Sequence, residues 1–190
     1  MAFAAKEISP LDPTTYLTHL TGKRFWFLIS SGPDFYYLRS LNTPHEWPYK
    51  KPFVSHKTPN LDCHYSEYDN EYGIHSYKMD YRFFGAVLNG ILGTVNIWGK
   101  IIEHEYGYRS EYAYPLELLG SYCFTCGSYL ALSMALMGTT FSLPYFMFFC
   151  SKKCLNIRLN ANAEKDNIMK KVDANKILDM LQLSYGLEIK

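Results

Sequence analysis

The chain has no surplus of charge: nineteen lysines and arginines stand against eighteen aspartates and glutamates, a formal net charge of +1. That balance excludes a global field able to recruit nucleic acid or an anionic membrane, so any such contact has to be local. The short signatures of common catalysis are also missing. No GxSxG, HExxH, phosphate-binding loop or dinucleotide fingerprint occurs, which removes the most legible enzyme classes. Repeats and low-complexity tracts are absent, leaving no compositional ground for disorder. The opening MAFAAKEISPLDPTTYL brings in charge and proline too early for the apolar stretch of a secretory leader.

The longest absence is of charged residues within one region. Residues 118–151 carry none, a run long enough to cross a bilayer. Lys152, Lys153 and Arg158 follow it as positive-inside flanks would. Three features oppose a membrane span at 127–149. Gly138-Thr139-Thr140 and Pro144 split the run into a helix-like piece, 127–137, and a strand-like piece, 141–149. Ser128, Ser133, Thr139, Thr140 and Ser142 dilute its hydrophobicity. The rest of the chain is that of a soluble protein, with a mean hydropathy just below zero. The expectation is an intracellular, cytoplasmic protein, with membrane attachment as an alternative.

What is present is aromatic: 17 tyrosines and 12 phenylalanines in 190 residues, a composition that favours β-rich cores and partly wet surfaces. That length suits one compact domain, or one domain with a small appendage. RFWFLISSGPDFYYLRSL reads as two strands joined by a Ser-Ser-Gly-Pro-Asp turn. NTPHEWPYKKPF is a proline-rich extended loop, and the Tyr-rich CHYSEYDNEYG is an exposed excursion. GIHSYK reads as a short strand, DYRFFGAVLNGI as a short helix and the segment around Thr15 to Leu20 as a helical piece. Val95, Ile97 and Ile101 alternate along GTVNIWGKII as on a strand with two packed faces, and SEYAYPLEL continues extended after a bend at Gly107. Toward the end, Ile168, Met169, Val172, Ile177, Leu178 and Leu181 fall near helical spacing. Asp173 is placed to cap a second helix ending near Gly186. The fold class expected is α+β. A β-rich domain (23–119) follows an N-terminal arm (1–22), and a four-cysteine zinc-binding element (120–160) and a helical tail (161–190) come after it.

Five cysteines are an odd number, and four of them form two close pairs: Cys123 with Cys126 as CxxC, and Cys150 with Cys154 as CxxxC. In an intracellular chain this points to metal before disulfides. A CxxC knuckle lets both sulfurs reach one ion, and CxxxC can span the first turn of a helix. Four thiolates suit a structural, tetrahedral Zn²⁺. The pattern CFTCG…FFCSKKCLNIRL resembles treble-clef zinc fingers of the MYM and TRASH type, though its apolar middle is longer. That resemblance covers about 35 residues and implies a helix starting at the second pair. It also implies a role organising protein contacts, and sometimes nucleic-acid contacts. Lys152, Lys153 and Arg158 form a small basic patch for the latter. His56, Cys63, His64 and His75 are too irregularly spaced for a second metal site, and a catalytic Cys63 would need a base that the sequence does not place.

Glu103, His104, Glu105, Arg109 and Glu111 crowd around the glycine bend. Charges in a β-rich core are costly unless paired, so an Arg109–carboxylate bridge is the economical reading. The sharper reading is a ligand pocket in which Glu103, His104, Arg109 and Glu111 take part. This stretch resembles a signature of uncharacterised prokaryotic proteins, roughly G-x-V-x-L-W-G-x-V-V-E-H-x-x-G-Y-R-A-E-x-A-Y-P. Gly93, Val95, Trp98, Gly99, Glu103, His104, Gly107, Arg109, Glu111, Ala113, Tyr114 and Pro115 match it. The resemblance extends weakly upstream to Trp47, His56, Pro59 and Gly73, but Tyr72 stands where that family has a second cysteine. The family supplies no activity.

Three functional classes follow. The first is a non-enzymatic binding or assembly module with a protein partner. The second is a small-ligand or nucleotide-recognising domain, or an enzyme, using His104 and Arg109. The third is a membrane-attached protein.

Overall fold

The computed structural model describes residues 5–8, 20–32, 34–41, 45–61, 72–78, 89–140, 143–163 and 169–190. The first strands are β1 (Lys6–Ile8), β2 (Leu20–Gly32), β3 (Phe35–Ser40), β4 (Phe53–Val54) and β5 (Ile74–Tyr77). Two long strands follow, β6 (Gly90–Glu103) and β7 (Gly107–Tyr122). Next come β8 (Tyr129–Ala131), a 3-10 turn (Leu132–Met134), β9 (Leu136–Thr140) and β10 (Leu143–Phe149). The chain ends with α1 (Lys152–Ala163), β11 (Met169–Val172), α2 (Ala174–Tyr185) and β12 (Glu188–Ile189). Strands dominate, and the architecture is a β-rich α+β fold.

The chain folds as two interleaved units. One comprises Met1–Arg24, Pro48–Tyr81 and Thr94–Leu116; the other comprises Phe25–Trp47, Arg82–Gly93 and Glu117–Lys190. In the first, β1 pairs antiparallel with β6, and β5 and β4 pair antiparallel with β7. The alternation expected of β6 is observed: Val95, Ile97 and Ile101 are buried while Asn96, Trp98 and Lys100 are partly exposed. It breaks where Gly99 takes φ 75°, so that Ile101 and Ile102 are both buried. Only glycine fits there, since an added Cβ would meet the Tyr112 ring at 2.6 Å. Lys6 and Lys78 hold the Glu103 carboxylate from either side, at 2.8 and 2.9 Å.

In the second unit β2 and β3 form the expected hairpin, with Leu28 opposite Leu38. β10 pairs with β2 and β9, and β9 with β11. Trp26 and Trp47 meet edge to face at 5.3 Å in its core. Helix α2 forms as expected: the Asp173 side chain accepts from Lys176 N at 3.2 Å, and Gly186 closes it at φ 65°. Its buried face, Ile177, Leu178, Leu181 and Tyr185, carries Tyr185 inward. The Tyr185 hydroxyl accepts from Leu38 N and donates to Trp47 O, both at 2.9 Å. One phenol thus ties a helix to a strand and a loop.

Three expectations are corrected. Residues 127–137 hold β8 and a 3-10 turn, not a helix, and Gly138-Thr139-Thr140 belongs to β9 rather than to a turn. The tail is not a helical pair: Met169–Val172 is a strand, paired from Met169 opposite Thr140 to Val172 opposite Met137. The first helix of this region starts earlier, at Lys152. Among the described residues no helix is long and apolar enough to cross a membrane, and the uncharged run is mostly strand. The helical piece at 15–19, the Tyr-rich excursion at 62–71 and most of DYRFFGAVLNGI lie outside the described residues, although Gly90 and Ile91 open β6.

Candidate metal centre

The site begins where β7 ends. Cys123 N donates to Ser128 O, and Gly127 N donates to Cys123 O, both at 2.8 Å. This tight reversal brings Gly127 to φ 72°, a conformation that favours glycine. Its knuckle is anchored on both sides. Phe124 N donates to Phe148 O of β10 at 2.8 Å, and Thr125 Oγ1 donates to Cys154 O at 2.9 Å.

The second pair is set by a helix cap. Ser151 precedes α1, and its Oγ accepts from Cys154 N at 3.2 Å, while Leu155 N donates to Ser151 O at 3.1 Å. A serine N-cap of this kind satisfies an orphan helix donor. It fixes Cys154 in the first turn and leaves Cys150 just outside it. Beneath the cysteines, Met147, Phe149 and Leu155 are buried, with Phe124, Leu136, Cys154 and Leu159 packed against them. Helix α1 is polar over much of its surface, so this small core and its cap hold it in place.

The four sulfurs converge. Those of Cys123, Cys126, Cys150 and Cys154 all lie within 4.8 Å of one another. Cys126 Sγ and Cys150 Sγ are 3.6 Å apart, as are Cys150 Sγ and Cys154 Sγ. A tetrahedron with zinc–sulfur bonds of about 2.3 Å has edges of about 3.8 Å. The cluster is therefore close to the size of a metal–thiolate site, and its cysteines are free thiols. Cys123 is buried and Cys154 half-buried, whereas Cys126 and Cys150 are exposed.

The thiols also share protons. Hydrogen bonding with Ser128, then with Cys123 and Cys150, lowers the Cys126 thiol to about 6. Hydrogen bonding to Cys126, Cys123 and Cys154 pushes Cys150 up to about 12. One thiolate is thus favoured at Cys126, while Cys150 keeps its proton. A cation at the centre would take the place of a thiol proton and stabilise the thiolate charges.

The other candidate residues are distributed as follows. Lys152 and Lys153 are exposed on the first turn of α1. Arg158 instead lies with its guanidinium 4.8 Å above the Phe124 ring, bracing the knuckle. Glu103, His104, Arg109 and Glu111 belong to the other unit. Arg109 is fully buried, and His104 is only 7% exposed. Glu103 pairs with Lys6 and Lys78, and a Glu111 carboxylate oxygen accepts from Lys100 N at 3.2 Å. Glu103 is thus held by lysine side chains and Glu111 by a backbone donor, and Arg109 sits opposite His75 in the β5–β7 register.

Burial, then the charges of Arg109, Arg24 and His104, hold His75 well below the usual imidazole value. Burial first, helped by the Arg109 charge and opposed by Tyr77, lowers Arg24 to about 10, and a guanidinium nitrogen of Arg24 donates to His75 O. This buried basic group was legible only at His104 and Arg109. Arg24 and His75 sit in strands whose neighbours give no sign of it. Ser151, Thr125 and Ser128, the supports of the cysteines, were likewise not separable from ordinary surface hydroxyls.

Compared with protein-family models, with curated proteins and with solved structures, the chain finds no match. The geometry of the site carries the functional reading.

Proposed function

We propose that this chain is a non-enzymatic, zinc-stabilised module that works by binding a protein partner. The carrying observation is the convergence of four free cysteine sulfurs from a knuckle and a capped helix start. All-thiolate sets suit Zn²⁺, which needs no redox chemistry and accepts four soft ligands. The order of knuckle, strands and helix supports the treble-clef reading of residues 123–158. A closed four-thiolate set leaves no open position for substrate, which favours a structural ion over a catalytic one. Tyr129 and Ile157, each three residues past a ligand cysteine, are 51% and 48% exposed. They offer apolar area for a protein contact beside the centre.

The alternative reading is a small-ligand domain using His104 and Arg109, both of which are buried. Nucleic-acid contact rests on Lys152 and Lys153 alone, since Arg158 is engaged on Phe124. X-ray absorption at the zinc edge tests the metal assignment. Four sulfur neighbours at about 2.3 Å are expected; a first shell rich in nitrogen or oxygen would contradict it.

A further inference from the structure

The four cysteines differ in their surroundings in a way that a purely structural ion does not require. Cys123 is fully buried, and its N and O both make 2.8 Å backbone hydrogen bonds. Cys154 is half-buried, fixed in α1 by Ser151 and bonded through its carbonyl to Thr125. Cys126 and Cys150 are exposed, and both lie outside strand and helix, in the knuckle turn and in the bend before α1. Their sulfurs are 3.6 Å apart.

We infer that Cys126 and Cys150 are an oxidation site: a peroxide converts them to a disulfide and thereby opens the metal centre. The inference rests on the zinc reading above. A disulfide needs the two sulfurs at about 2.05 Å, an approach of about 1.5 Å. Gly127, in its left-handed conformation, follows Cys126, and no ladder hydrogen bond holds either cysteine, so this approach breaks no strand pairing. Cys150 also has Cys154 at 3.6 Å. Joining those two would pull on the capped first turn of α1 and on the packed Cys154 side chain.

The chemistry balances. The Cys126 thiolate attacks one oxygen of hydrogen peroxide; the O–O bond breaks, hydroxide leaves, and Cys126 becomes a sulfenic acid. The Cys150 thiolate then attacks the Cys126 sulfur; the S–S bond forms, the S–O bond breaks, and a second hydroxide leaves. Two electrons pass from the two sulfurs to the peroxide, so that two thiolates and one hydrogen peroxide give one disulfide and two hydroxides. The ion keeps two thiolates instead of four and is released.

The test uses the full chain loaded with zinc, its metal content measured before any oxidant is added. Hydrogen peroxide is then applied while released zinc is followed with a chromogenic chelator. Free thiols are alkylated, and disulfides are mapped by mass spectrometry without reduction. The expected result is about one zinc released per disulfide, the disulfide linking Cys126 to Cys150, and recovery of binding after a dithiol reductant. Zinc retained with its thiols intact would overturn the inference, and so would release with disulfides involving mainly Cys123 or Cys154. A chain that holds no zinc at the start refutes the metal reading itself, before the oxidant bears on anything.

Discussion

Cys126 Sγ and Cys150 Sγ lie 3.6 Å apart although 24 residues separate them in the chain. Nothing about two thiols makes that proximity favourable by itself. Thiols are weak hydrogen-bonding groups, and crowding their ionised forms is repulsive. The knuckle hydrogen bonds, the Ser151 cap and the Phe124–Phe149 contact hold the cluster together. Those contacts offset part of the cost of ordering four ligands around one ion.

Metal affinity should fall on acidification. At neutral pH Cys150 holds its proton, at about 12, so the ion has to displace it. Below about 6 Cys126 is protonated as well and competes in turn. Competition titrations with a chelator at pH 6, 7 and 8 should give progressively tighter zinc binding. Calorimetric heats should vary with the buffer's ionisation enthalpy, because protons are released. Binding independent of pH would contradict the thiolate ligand set.

Tyr185→Phe should cost about 1–3 kcal/mol. The substitution removes a hydroxyl that serves two buried backbone groups, Leu38 N and Trp47 O, and leaves the ring in place. Chemical denaturation reads the difference as a lower midpoint at an unchanged slope. A variant as stable as the parent would mean that water or a shifted backbone satisfies those groups.

Acid should destabilise the unit that contains His75 and Glu103. Burial comes first in lowering His75, and the hydrogen bonds of Lys6 and Lys78 come first in lowering Glu103. For a folded-state value that is depressed, the stability is present above the unfolded value and is lost as pH falls toward the folded one. For an imidazole the loss starts near pH 6.5 and reaches about 1.4 kcal/mol per pH unit at most. Denaturation midpoints should therefore drop between pH 7 and pH 5, and a His75→Gln variant should show a shallower drop. Equal slopes in the two proteins would remove His75 as a cause.

The fold was legible where local chemistry and tertiary packing agree. The Ser-Ser-Gly-Pro-Asp turn between aromatic strands gives β2 and β3, and Asp173 with Gly186 brackets α2. The cysteines were legible because CxxC and CxxxC are spacings with a geometric purpose. Residues 127–137 were not, because an uninterrupted apolar run has no period to separate strand from helix. Their strand state comes from partners far away in sequence, such as Gly120 opposite Ala131. Val172 illustrates the same limit. It fits a helical stripe with Ile168 and Met169, yet pairing with Met137 of β9 makes it part of a strand. Arg109 shows a different one: the cost of a buried charge called for a carboxylate partner, but sequence could not show that Glu103 is held by Lys6 and Lys78.

The central claim is a zinc ion held by four cysteines, and elemental mass spectrometry on the purified chain tests it most directly. The protein should carry about one zinc per chain, and a folded Cys150→Ala variant should carry far less, because one of four ligands is gone. A folded parent chain with no metal, or a variant that keeps a full equivalent of zinc, would contradict the account.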